Sequence, residues 1–224
     1  MLRIFVAAVI VTSCASTTSP SVVAPAPVVA AEPEAHHEGG GHDWNDTYRE
    51  GTGFNQKPNA LLASVVKSRP AGTALDVGMG QGRNAVFMAT QGWAVTGVDT
   101  ADEGIRIAKE HAAAAKVPLN AIVGDADAFE MGTATYDLIA LMYVGGAELS
   151  DRIKTALKPG GVVVVEYFHK DMEAQFHHPM GAFGTGELEG LFSGYKVLRS
   201  EVVEDMADFG EKKAKLVRFV AQKP

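Results

Sequence analysis

Ala74-Leu75-Asp76-Val77-Gly78-Met79-Gly80-Gln81-Gly82-Arg83-Asn84 passes from apolar residues through an acid into three alternating glycines. It reads as a strand, a tight turn and the start of a helix. Leu and Val suit a buried strand, and glycine admits positive φ and lets a ligand approach bare backbone. The helix that follows opens with N–H groups that have no partner inside it, which suits a polar ligand. The stretch is therefore read as a cradle for a nucleoside-like cofactor. Any sharp strand-to-helix turn can use glycine, however, so the surrounding chain has to decide.

Downstream, the helix from Asn84 to Gln91 is closed by Gly92. Trp93 to Asp99 is a second β-rich run that ends in an acid, which in a doubly wound sheet reaches a ribose diol at the carboxyl end of its strand. Asp102 is expected to cap the next helix, whose Ile105, Ala108, Ala112 and Ala115 form one stripe up to Pro118. A third strand, Ala121 to Gly124, leads into Asp125-Ala126-Asp127, and a fourth runs from Tyr136 to Met142. Leu149, Ile153, Ala156 and Leu157 give a helix stopped by Lys158-Pro159-Gly160-Gly161, and Val162 to Phe168 is an apolar strand broken only by Glu166. Strands alternating with helices at this spacing predict a parallel α/β sheet with ligands at the carboxyl ends of its strands.

Upstream, Asp43 is a candidate cap for a short helix ending at Gly51, and Pro58 a candidate first residue for a helix with Leu61, Leu62, Val65 and Val66 on one face. Trp44, Tyr48 and Phe54 either pack on the core or line a pocket. Beyond Glu187, where the last helix begins, Tyr195 to Val203 and Lys213 to Ala221 read as a closing antiparallel pair joined by a polar loop at Phe209-Gly210.

At the N-terminus, Arg3 precedes an apolar run, Ile4 to Val11, that is too short to span a bilayer but fits a secretory signal. Val11-Thr12-Ser13-Cys14 resembles a bacterial lipoprotein signal, and Cys14 is the one cysteine. The expected organisation is a signal peptide over 1–14, a Pro/Ala/Ser and His/Gly linker over 15–42, and one catalytic-size domain over 43–224. Cys14 would then carry a lipid anchor on an exported protein, with cytoplasmic residence the alternative. His36, His37 and His42 flank glycines in the linker, where a flexible segment offers a metal no fixed geometry. A net charge of −7 and a pI near 5.5 argue against nucleic acid as an electrostatically held partner.

Taken together, Asp76 to Gly82, Asp99, Asp125, Tyr136-Asp137-Leu138-Ile139 and Leu157 to Gly161 resemble class I S-adenosylmethionine-dependent methyltransferases. Gly82-Arg83-Asn84 with the following Ala-Val-Phe-Met-Ala, and Val95 to Asp99, look closest to the small-molecule branch of tellurite-resistance and thiopurine-type enzymes. The resemblance implies a Rossmann-like sheet, mostly parallel with an antiparallel C-terminal strand, and S-adenosylmethionine as cofactor. A nicotinamide dinucleotide site is the competing reading, but its fingerprint wants a glycine where Arg83 stands.

The resemblance also implies roles. Gly78, Gly80 and Gly82 would pack against the methionine part and ribose, Asp99 would bond the ribose hydroxyls, Asp125 the adenine amino group, and Ala126 would offer its N–H to the ring. Asp76 would face the ammonium and sulfonium end, where a carboxylate is electrostatically sensible. Methyl transfer asks mainly for alignment of nucleophile and methyl at about 3–3.5 Å. Thiols and chalcogen oxyanions need little activation, whereas a hydroxyl needs a base. Tyr143, Tyr167 and His169, after the fourth and fifth strands, are the catalytic candidates. Tyr48, His177 and His178 are candidates for binding the acceptor, and no metal is expected. Met142-Tyr143-Val144-Gly145 lacks the Asn-Pro-Pro-Tyr type motif of amide and adenine methylation, which disfavours protein-glutamine and DNA-base substrates; the expected partner is a small molecule, and the expected assembly a monomer or weak homodimer. The alternative is a membrane-tethered protein that binds the cofactor or a nucleoside without turnover.

Overall fold

The computed structural model describes residues 43–51, 54–175, 183–207 and 212–224. The expected signal peptide over 1–14 with Cys14, the expected linker over 15–42, the pair His177 and His178, and Phe209-Gly210 lie outside the described residues.

Among the described residues, seven strands form one sheet: β1 (Thr73–Val77), β2 (Ala94–Asp99), β3 (Asn120–Val123), β4 (Tyr136–Met142), β5 (Leu157–Phe168), β6 (Lys196–Ala207) and β7 (Lys212–Gln222). Their order is β3-β2-β1-β4-β5-β7-β6. The first five strands pair in parallel, and β7 runs antiparallel to both β5 and β6. This is the doubly wound, mostly parallel architecture expected from the alternation of strands and helices. Val162 to Val165 of β5 and the whole of β1 are buried, as strands covered on both faces must be. By contrast β6 is an edge strand with Val197, Leu198 and Met206 exposed.

Among the described residues, α1 (Trp44–Arg49) and α2 (Ala60–Lys67) precede the sheet, and α3 (Arg83–Thr90), α4 (Asp102–Ala115), α5 (Ser150–Ala156) and α6 (Glu187–Leu191) lie between its strands. Asp43 caps α1 by accepting the Asn45 N–H. Three boundaries differ from the sequence reading. Asn59, not Pro58, begins α2, because its side chain accepts the Leu62 N–H at 3.0 Å. Ala101 occupies the cap of α4, and Asp102 lies in the first turn, where its charge suits the helix dipole. Lys158 to Gly161 belong to β5, since Leu157 already pairs with Tyr136 before the register shifts.

Sheet order reverses at β1, whose neighbours β2 and β4 lead away in opposite directions. The crevice at such a switch point is where an open α/β sheet takes ligands. The glycine turn after β1 and the segments after β2, β3 and β4 all open into it.

Candidate active site

A cavity of about 260 Å³ lies at this switch point. Trp44 and Tyr48 of α1 line it together with Gly78, Asp99, Asp125, Ala126 and the segment Met142 to Gly145. Of the residues proposed for the cofactor, Gly78, Asp99, Asp125 and Ala126 are thus gathered on one wall. Gly80 lines a smaller hollow beside it, with Tyr48, Gln81, Arg83 and Asn84.

Gly78, Gly80 and Gly82 all have positive φ, at 62°, 52° and 77°. Gly82 also serves as N-cap of α3, and a Cβ on it would sit 2.8 Å from the Ala108 Cβ. The glycines are thus required by the fold itself. Beside Gly78 lies the Val144 side chain and beside Gly80 the Tyr48 hydroxyl, so a Cβ at either would collide. Asp99 binds the turn directly: its carboxylate accepts N–H groups from Gly80 and Ala101, each at 2.8 Å. Burial raises its pKa, and these two bonds oppose the rise.

Asp76 is held inside the sheet, 1% exposed, and is absent from the lining of either cavity. Burial pushes its carboxyl up to about 7, against the pull of Arg83 and the Ala85 N–H. Its Oδ2 is buried without a hydrogen-bond partner. A buried carboxylate oxygen in that condition costs free energy unless a donor or cation supplies what is missing.

The segment after β3 is braced from a distance. Arg152 of α5 donates to the backbone carbonyls of Ala126 and Asp127, at 2.6 and 2.7 Å, and also to that of Phe129. Asp125 accepts the Asp127 N–H at 2.9 Å, so the turn that would face an adenine ring is fixed at several points. Arg152 carries no signal in the sequence: a helical arginine reads as a solvated one.

On the other side of the cavity, Tyr143 is a non-glycine residue at φ 61°. That backbone costs roughly 1–2 kcal/mol and needs compensation. Glu166 supplies it: its carbonyl accepts the Tyr143 N–H at 2.9 Å, and its Oε1 accepts the phenol proton at 2.5 Å. Glu166 is 1% exposed and is also bonded by Asn59 Nδ2 at 2.6 Å and by Arg218 Nε at 2.6 Å. Two bonds thus tie this turn to Glu166, and two more hold Glu166 in place. The sequence marked Glu166 only as an interruption in an apolar strand.

The remaining candidates are dispersed. Tyr167 packs behind Tyr143, ring centroids 6.4 Å apart, outside the cavity lining, and burial with the nearby Glu148 pushes its pKa up to about 12. His169 is also outside the lining. Its Nδ1 accepts the Asp171 N–H at 3.2 Å, which places the hydrogen on Nε2, 3.0 Å from Thr185 Oγ1. That arrangement ties β5 to the segment ahead of α6. Tyr48, expected on the acceptor side, lines the cavity and also reaches the glycine turn, its ring against Gly104. Burial and the neighbouring Asp99 hold its phenol protonated well above the usual range.

The family model described as methyltransferase domain matches residues 74–161, from β1 into β5. Trans-aconitate 2-methyltransferase of Paracidovorax citrulli is 32% identical over 130 residues, which cover 56% of this chain and 50% of that protein. Ubiquinone biosynthesis O-methyltransferase of Shewanella pealeana is 28% identical over 145 residues, or 61% of each chain. The chain therefore spans about half the length of the curated relatives it matches. Among solved structures, TehB from Haemophilus influenzae superposes with a TM-score of 0.62 at 20% identity, covering 74% of this chain and 62% of that one. The architecture is that of the Rossmann-like class I methyltransferases.

Proposed function

We propose, with a domain of the S-adenosylmethionine-dependent methyltransferase fold as the premise, that the protein transfers a methyl group from that cofactor to a small-molecule acceptor by in-line displacement. The observation that carries this reading is convergence. The glycine turn, Asp99 and Asp125, from the ends of three neighbouring strands, open onto one cavity at the switch point.

The residues suit the cofactor. The carboxylates of Asp99 and Asp125 are acceptors for ribose hydroxyls and an adenine amino group, and each retains capacity beyond its backbone bonds. Asp76, with its unpartnered Oδ2 beneath the turn, suits the ammonium and sulfonium end. When bound, S-adenosylmethionine supplies a methyl group made electrophilic by its sulfonium. The chain's part is to hold that cation among acids, to align the acceptor and to exclude water. Tyr143 faces the acceptor, and Val144 and Tyr48 cover the turn.

The acceptor class is a thiol, a hydroxyl or a chalcogen oxyanion, in line with the resemblance to tellurite-resistance and thiopurine-type enzymes. We place the protein as an exported lipoprotein held by Cys14, monomeric or weakly dimeric. That location favours a second reading, in which the tethered domain binds S-adenosylmethionine or a nucleoside without turnover, since the cofactor is made in the cytoplasm. Calorimetry of the purified full chain with S-adenosylhomocysteine tests both readings, and absence of binding overturns both. Binding with methyl release to any of a set of thiol, selenite, tellurite and phenol acceptors supports the enzyme. Binding without release overturns it in favour of the tethered binder.

A further inference from the structure

Large apolar side chains that stand in water are concentrated on one element. Among the described residues, the exposed large hydrophobics are Val197, Leu198 and Met206, between 44% and 45% exposed, and all three lie on β6. That strand is also the open end of the sheet. It pairs with β7 along one side, and no described strand pairs with its other side. A long free edge presents backbone N–H and C=O groups to a further strand, and natural sheets blunt such edges with proline, bulges or charge. β6 has no proline, and its one bulge falls between Val197 and Arg199, so the register with β7 runs unbroken from Arg199 to Ala207.

Charge is what remains, and its order along the strand matches that of a second copy. Arg199 stands at one end of the unbroken run, and Glu204 and Asp205 near the other. Two copies of a strand pair antiparallel about a two-fold axis through one residue, with residues equally distant from it standing opposite each other on the same face. An axis at Arg199, Glu201 or Glu204 would set a charge against its own copy, and an axis at Val203 would set Glu201 against Asp205. Like charges directly opposite destabilise a pair of strands. An axis at Ser200 avoids this but leaves Asp205 and Met206 beyond the paired run. With Val202 on the axis, Arg199 stands opposite Asp205, Leu198 opposite Met206 and Ser200 opposite Glu204, each pair twice by symmetry. Opposite charges then meet, and two of the three exposed apolar residues cover each other.

We propose that β6 is the interface of a homodimer, in which two copies of the chain pair these strands antiparallel with Val202 on the two-fold axis and continue one sheet through both protomers. No residue that lines either cavity lies on β6, so the pairing is independent of what the cavities bind. One pair of strands is a small interface, and a dissociation constant in the range of about 10–100 μM is expected.

Sedimentation equilibrium of the purified full chain, from about 5 to 500 μM, should show a monomer–dimer equilibrium. A chain that stays monomeric throughout overturns the proposal. Arg199→Glu turns two opposite-charge pairs into like-charge pairs and should raise the dissociation constant at least about fivefold. A smaller change places the association elsewhere on the chain and overturns the proposal. A melting temperature within about 3 °C of wild type shows that the variant is folded.

Cross-linking tests the register, and decides the matter if Arg199→Glu does not fold. Cys14 is the one cysteine, so a Cys14→Ser background leaves no other thiol. In that background Val202→Cys puts two thiols opposite each other with Cα atoms about 5.5 Å apart, within reach of a disulfide. In Ser200→Cys the two copies of position 200 lie four residues out of register, about 13 Å apart. Mild oxidation should therefore give a disulfide-linked dimer from Val202→Cys and none from Ser200→Cys, although Ser200 is the more exposed of the two. Cross-linking of Ser200→Cys as readily as Val202→Cys, or of neither, overturns the proposal.

Discussion

Asp76→Asn should change how stability depends on pH. In the folded chain burial raises the Asp76 carboxyl from 3.8 to about 7. Between those values the folded state binds a proton that the unfolded state has released, so stability is fully present below the lower value and is lost as pH rises through the higher one. The whole interval corresponds to roughly 4 kcal/mol at 1.36 kcal/mol per pH unit, and the stretch from pH 5 to pH 7 to roughly 2.5 kcal/mol. Asparagine does not titrate. Its buried amide adds a penalty of about 1–3 kcal/mol, but one that is the same at every pH. Urea unfolding of both proteins at pH 5, 6, 7 and 8, followed by circular dichroism, isolates the slope. The wild type should lose ground steadily against the variant up to pH 7 and little beyond it. A difference that stays constant within about 0.5 kcal/mol would refute the placement of Asp76 as a buried, uncompensated carboxyl. Repeating the series with saturating S-adenosylmethionine should flatten the slope, because a cation near the carboxylate favours its charged form.

Further outcomes are expected elsewhere in the site. Gly82→Ala puts a Cβ at φ 77° and 2.8 Å from Ala108, so the urea midpoint should fall by the equivalent of about 1–2 kcal/mol or more. Arg152→Ala frees the carbonyls of Ala126, Asp127 and Phe129, and calorimetry should show S-adenosylhomocysteine affinity reduced about tenfold with only modest loss of thermal stability. Asn59→Ala removes both the cap of α2 and a donor to Glu166, which should cost about 2–3 kcal/mol in equilibrium unfolding. A loss below about 0.5 kcal/mol would mean that neither bond matters.

The features legible in the sequence were those that short-range pattern encodes. Apolar runs of strand length, helical stripes and the glycines between them gave the alternation that places β1 to β5 in parallel. Once the sheet is parallel, Asp99 and Asp125 must fall on the same edge, so half the candidate site follows from counting strands. Asn59 is obscured because Pro58 is a good helix opener, and the bonds that bury Asn59 and tie it to the rest of the site reach Asn84 and Glu166, far away in sequence. His169 illustrates the converse. It stands at a strand end, as site residues do, yet local bonds to Asp171 and Thr185 turn it away from the cavity. No periodicity reveals that β7 lies between β5 and β6. That order depends on which faces remain to be covered once the parallel strands are placed.

The place of β7 has a consequence for how the molecule is made. It follows every other element in the sequence, yet it covers the inner edge of β5 and brings Arg218 to Glu166. During synthesis β5 is complete long before its partner emerges, and until then it presents a row of unpaired backbone groups of the kind that templates aggregation. Joining β7 to β5 is as non-local as joining β1 to β4, and it can begin only once residues 212–222 have emerged. The phenol turn at Tyr143 therefore acquires its final electrostatic support last, and nascent chains stalled before residue 212 should emerge with a formed glycine turn but an unfinished acceptor side.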